Sequence, residues 1–170
     1  MLEQVIEVKN LVKKYGRLTA VDSITFSVSK GEIFGLLGPN GAGKSTTLEI
    51  VETLREKTSG NVTVCGYSLD TEPASIKKII GVQLQSSGYY PGLNLVQLIE
   101  LFAGLYNCSV DPIHILSLVN LQDKAKAKVK ELSGGQRQRF SIATSLVNKP
   151  KVIFLDEPTT GLDPQARRSL

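Results

Sequence analysis

The apolar and polar positions of this 170-residue chain change rhythm several times along its length. Near the N-terminus, Val5 to Leu11 and Ala20 to Val28 alternate and are rich in branched side chains, which predicts strands; Lys30-Gly31 then makes a turn, and this start is read as antiparallel. Glu32 to Leu37, containing the apolar run IFGLL, is predicted as a strand that feeds a Gly-rich loop and then a helix from Lys44 to about Leu54. Asn61 to Cys65 and Ile79 to Leu84 read as further strands, the second short and buried. From about Asn94 to Leu121 the period becomes helical, most clearly in LVQLIELFAGLY, and another helix is expected from about Gly134 to Val147. Lys149-Pro150 stops that helix before Val152 to Leu155, which suits a parallel strand buried on both faces, and Pro164 fits the first turn of a last helix. The sequence carries no internal repeat and no low-complexity linker. The pattern is α/β: a mostly parallel core with an N-terminal antiparallel sheet and a helical insertion.

Composition narrows this picture only a little. With 41% hydrophobic residues the chain can form one compact domain burying about 70% of its unfolded surface. The net charge of +4 permits an anionic partner without choosing one, and only the cluster Lys124, Lys126, Lys128 and Lys130 stands out from a scattered basic excess. Cys65 and Cys108 have no neighbours at metal-ligand spacing, which speaks against zinc and against a disulfide framework. No run of about 18 apolar residues is present, and MLEQVIEVKN has acidic residues where a secretory signal needs an apolar core, so the chain reads as cytoplasmic, reaching a membrane only through a partner.

Three short motifs carry chemistry. Gly38 to Ser45 fits GxxxxGK[ST] between a predicted strand and a predicted helix. Glycines at 38, 41 and 43 let backbone N–H groups turn toward phosphate oxygens, the helix start adds its unpaired donors, Lys44 can reach β- and γ-phosphates, and the Ser45 hydroxyl can coordinate Mg²⁺. The strand VIFL ends in Asp156 and Glu157, suited respectively to holding Mg²⁺ and to polarising an attacking water. Leu132-Ser133-Gly134-Gly135-Gln136 opens the helix before that strand and is a second helix start able to face an anion; taken alone it also reads as a plain serine cap.

Together, GPNGAGKST, LSGGQ and VIFLDEP, in that order, resemble the nucleotide-binding domain of ATP-binding cassette proteins over essentially the whole chain. The resemblance implies a P-loop ATPase fold with ATP and Mg²⁺ as ligands. It implies nucleotide contacts at Gly38, Asn40, Gly41, Gly43, Lys44, Ser45 and Thr46, and Tyr15 stacked on adenine. Glu157, Lys44 and Gln85 would carry catalysis, and Ser45, Gln85 and Asp156 would hold the metal. Ser133, Gly135 and Gln136 would act in trans on ATP bound to a second cassette, homo or hetero, with Asp163 of TTGLD in the loop crossing between the two. Residues 1–85 and 148–170 would form the core and 86–147 the helical signature subdomain.

The same resemblance places the family's next motif, a strand ending in a γ-phosphate histidine, beyond Leu170, so residues 1–170 would be an incomplete cassette, poorly stable and weakly hydrolytic alone. His114 is an ordinary helical residue and does not substitute for that histidine. The implied function is ATP hydrolysis driving transport by a partner permease, most like bacterial export subunits at the inner face of the cell membrane. Competing readings are a non-transport cassette acting in translation or on nucleic acid, and a nucleotide-binding fragment without hydrolysis. No long heptad run supports the nucleic-acid version, and no direct nucleic-acid contact is expected.

Overall fold

The computed structural model describes residues 3–83 and 88–156; Gln85, Glu157, Asp163 and Pro164 lie outside the described residues. The chain divides into two compact units, Met1–Ile80 and Gly81–Leu170.

In the first unit β1 (Gln4–Tyr15) and β2 (Leu18–Ser29) pair antiparallel, from Gln4 opposite Ser29 to Tyr15 opposite Leu18. Gly16, at φ 57°, turns the chain between them. β1 pairs on its other side with β3 (Ser59–Val64), which pairs with the short β4 (Tyr67–Ser68), giving the order β2-β1-β3-β4. The expected antiparallel start is therefore observed. Alternation sets the inward face: Ile6 and Val8 lie opposite Val64 and Val62, and all four are buried. A register shift between Val8 and Leu11 puts Asn10 at φ 52°, its N–H donating to Thr25 Oγ1 at 2.9 Å. Gly60 lies against this irregularity at φ 94°; a Cβ there would sit 2.4 Å from the Asn10 carbonyl oxygen, so no other residue fits. Helices α1 (Lys44–Val51) and α2 (Pro73–Ile79) contribute the buried Ile50, Val51 and Ile76.

One predicted element is corrected. Residues 32–39 form no strand, and Ile33 and Leu37 are 100% and 92% exposed. Apolar character favours a strand only when a neighbour supplies the ladder, and neither sheet among the described residues extends to this segment. The segment is held locally instead: the Glu32 carboxylate accepts from the Ser29 N–H at 2.7 Å, and Phe34 stacks on Phe26 with ring centroids 5.1 Å apart.

In the second unit β5 (Ile80–Gln83) is hydrogen-bonded to β6 (Val152–Leu155). The expectation that β6 is buried on both faces also needs correction, because Phe154 is buried while Ile153 and Leu155 are 41% and 38% exposed. Alternation puts Phe154 on one face and Ile153 and Leu155 on the other, so among the described residues β6 has one covered face. Gly81 lets α5 (Gly134–Ser145) press on β5, since a Cβ at Gly81 would lie 2.1 Å from the Ser145 carbonyl oxygen.

Helices α3 (Leu95–Tyr106) and α4 (Pro112–Ser117) complete this unit. Their ends obey local rules. Asn94 and Gln97 form a capping box at α3, Asn107 closes it in the left-handed conformation, and Asp111 caps α4 ahead of Pro112. The helical period of LVQLIELFAGLY becomes one buried face, Leu95, Leu98, Ile99 and Ala103, packed with Ile115, Leu116, Phe140 and Ala143. Tyr89 meets Phe102 edge-on at 6.4 Å and Phe140 tilted at 5.2 Å. No helix among the described residues is long and apolar enough to cross a membrane.

Candidate functional site

The Gly-rich segment 38–43 leads directly into α1. Gly43 precedes the helix at φ 82°, where L side chains are strained, and a Cβ would lie 2.2 Å from the Ala20 carbonyl oxygen of β2. Gly41 also lies at φ 82°. No side chain caps α1; the Gly43 carbonyl accepts from both the N–H and the hydroxyl of Thr47, each at 2.8 Å. The first-turn N–H groups of α1 are therefore left without a side-chain acceptor, and an uncapped helix start attracts anions. Lys44 folds back over the loop, its Nζ donating to the carbonyl oxygens of Gly38 at 2.8 Å and Pro39 at 2.9 Å. That fixes a cation above the loop. Ser45 is exposed in the same turn, Thr46 is half-buried, and Asn40 is exposed at the loop tip.

The end of β1 places Tyr15, half-exposed at 41%, within a charged frame that the sequence motifs do not reveal. Arg55 Nη1 donates to the Tyr15 hydroxyl at 2.6 Å, and Arg55 Nε pairs with the Glu49 carboxylate of α1. The Lys13 ammonium and the Arg55 guanidinium lie 5.0 and 5.6 Å from the centre of the Tyr15 ring. Glu49 raises the Arg55 pKa, first by its hydrogen bond and, less strongly, by its charge; partial desolvation opposes this. Glu49 and Arg55 went unnoticed in the sequence because they straddle a helix end at no repeating spacing.

In the second unit, Ser133 is the N-cap of α5 and closes a capping box: the Gln136 N–H donates to Ser133 Oγ at 3.2 Å, and the Ser133 N–H donates to Gln136 Oε1 at 2.9 Å. Gly135 lies half-buried in the first turn. Arg137 Nη1 donates to the Leu132 carbonyl at 2.7 Å, tying the motif's first residue to the helix. Asp156 is half-buried just past β6. At the end of β5, Gln83 is buried and its Oε1 has no hydrogen-bond partner among the described residues. His114 is exposed on α4. In the lysine cluster, Ala125, Ala127 and Val129 pack against the helical core while Lys124, Lys126 and Lys130 are exposed, so the alternation there builds one side of this unit.

The model of the ABC transporter family matches residues 21–160. The linearmycin resistance ATP-binding protein of Bacillus subtilis (strain 168) is 39% identical over 170 residues, covering 97% of this chain. The Nod factor export ATP-binding protein I of Burkholderia orbicola (strain AU 1054) is 40% identical over 167 residues, covering 95% of it. The chain spans 55% of the length of each of these two relatives. Among solved structures, an ATP-binding cassette of an ABC transporter in its ADP conformation superposes with a TM-score of 0.85 at 25% identity, covering 98% of this chain and 73% of that one. A dimeric cassette in a post-hydrolysis state bound to ADP and Pi superposes with a TM-score of 0.82 at 29% identity, covering 96% and 78%.

Proposed function

The chain belongs to the ABC transporter family, and on that premise we propose that it is the ATP-hydrolysing part of a transport system, working with a membrane permease in export. The observation that carries this reading is the loop before α1: an uncapped helix start, two glycines at left-handed φ, and Lys44 poised on the loop carbonyls. Gly38, Asn40, Gly41, Gly43, Lys44, Ser45 and Thr46 bind the triphosphate, and Tyr15 carries the adenine. Hydroxyl and carboxylate oxygens are the hard donors Mg²⁺ takes, and Ser45, exposed in the first turn, fits that chemistry. Ser45, Asp156 and Gln85 would hold the ion, which supplies charge neutralisation at the phosphates. Glu157 accepts a proton from water as the water oxygen bonds to the γ-phosphorus and the bond to the ADP oxygen breaks.

Ser133, Gly135 and Gln136 serve ATP held by a second cassette, and Asp163 lies where the two cassettes meet; the dimeric solved neighbour supports this reading. The capping box does not oppose it. The box uses the acceptor sides of Ser133 and Gln136, while a phosphate needs donors, and the serine O–H and the glutamine amide N–H groups supply them. In this reading residues 1–85 and 148–170 form the nucleotide core and 86–147 the signature subdomain, which docks on the permease at the inner face of the membrane. The names of the export and resistance relatives support the direction of transport.

The test is nucleotide binding and turnover by the full chain with its permease. Glu157→Gln is expected to bind ATP normally while turnover falls by about 10³ or more, and Lys44→Ala to lose binding itself. Unchanged turnover in Glu157→Gln would remove the assigned base.

A further inference from the structure

The bonds around Tyr15 form a frame that reaches from the phosphate-loop helix to the end of β1. The backbone N–H of Arg55 donates to the Glu49 carbonyl at 3.1 Å, and its side chain returns to the Glu49 carboxylate, so this arginine is fixed to the last turn of α1 from both ends. The same loop is stitched to β1. The Thr58 N–H donates to the Val12 carbonyl at 2.8 Å and the Lys14 N–H donates to Thr58 Oγ1 at 2.9 Å, directly before Tyr15. The guanidinium is a rigid planar fork, and using Nε on the carboxylate and Nη1 on the phenol sets the direction in which the phenol points.

An exposed tyrosine at a strand end would otherwise sample several rotamers, at a cost to any ligand that needs one of them. We infer that Arg55 is a positioning residue for nucleotide binding: anchored by Glu49, it holds the Tyr15 ring as a pre-set platform for a planar base, in register with the helix that receives the phosphates. This rests on the reading of Tyr15 as the base-stacking residue. The bond energies matter less than the geometry, since the Arg55 and Glu49 side chains are 39% and 37% exposed and such pairs contribute little by themselves.

The distinguishing measurement compares a ligand with a base and one without. Dissociation constants of the full chain are measured for adenylyl imidodiphosphate and for inorganic tripolyphosphate. Tyr15→Ala should weaken the first about tenfold and leave the second unchanged. Arg55→Met should weaken the first about threefold to fivefold, also without touching the second, and should add nothing in the Tyr15→Ala background. Arg55→Lys, which keeps the charge and loses the fork, should recover only part of the loss, and Glu49→Gln should show a smaller loss of the same kind. Equal weakening of both ligands by Arg55→Met would overturn the inference, because the residue would then act on the phosphate loop. So would a full effect persisting without Tyr15, since Arg55 would then touch the base directly. If Tyr15→Ala weakens the nucleotide and neither Arg55→Met nor Glu49→Gln does, the positioning role falls and the platform stands. If Tyr15→Ala changes nothing, the platform reading itself falls, and the inference with it.

Discussion

The two helix starts that the sequence marks as anion-facing are built in opposite ways. At α1 the residue before the helix is a glycine in the left-handed conformation, no side chain returns to the backbone, and the nearest cation is folded onto the loop carbonyls. At α5 a serine and a glutamine satisfy each other's backbone donors in a closed capping box. Both ends carry the same partial positive charge. The difference is in what satisfies the orphan N–H groups: at α1 no side chain does, and at α5 the capping box satisfies part of them. A helix dipole therefore does not by itself mark a binding end. The first start is left without a side-chain cap, whereas the second is closed by a structural one whose serine O–H and glutamine amide N–H groups the box does not use.

The contrast can be tested by damaging what supports each start. The largest effect is expected beneath α5, at Phe140, fully buried among Leu95, Leu98 and Ala143 of the helical core. Phe140→Ala should cost about 3–5 kcal/mol of that unit's stability, read by denaturant unfolding or by hydrogen exchange of the α3 and α5 amides, with β1 and β3 amides little changed. Equal loss of protection in both units would show that the division at residue 80 is not energetic. Next in size is Gly43→Ala. It adds a Cβ to a φ of 82°, 2.2 Å from the Ala20 carbonyl, and should cost about 1–3 kcal/mol while removing nucleotide binding, because the loop must shift to accept it. Retained binding would mean that the loop geometry before α1 is not what selects the ligand.

These supports differ in how visible they are in the sequence. Strands β1, β2 and β3 and helices α1, α3 and α5 follow from local period and end signals, because Val8, Val62, Leu98 and Phe140 each report their own burial through their neighbours' spacing. Glu32 to Leu37 failed for the converse reason. Its pattern states a preference for pairing, and pairing depends on a ladder partner that no local residue names. The turn before α1 was legible, since Gly41 and Gly43 at fixed spacing from Lys44 encode the left-handed backbone observed there. The Ser133 cap was also legible as one of two readings of LSGGQ, and the structure realises it. Arg55 and Glu49 were not legible: their relation to Tyr15 is a product of the sheet bringing residue 15 beside residue 55, a contact across 40 positions.

The smallest expected effect is the one that bears most closely on the comparison. Ser133→Ala removes the acceptor for the Gln136 N–H but leaves the bond from the Ser133 N–H to Gln136 Oε1, which needs only the backbone of residue 133. Half of the box survives, so the stability loss should lie near the low end for a cap, about 0.5–1 kcal/mol by thermal or denaturant unfolding. A cap and nothing more would end there, with ATP turnover unchanged once the variant is folded. If the serine hydroxyl also donates to a phosphate held by a second cassette, turnover at saturating ATP should fall by far more than so small a stability loss can explain. Binding of nucleotide to the single chain should stay as it was, because the loop before α1 is untouched. Ser133→Thr keeps both the acceptor and the donor and should restore turnover in part. A variant that loses stability alone would return the second helix start to the purely structural role that its geometry already fulfils.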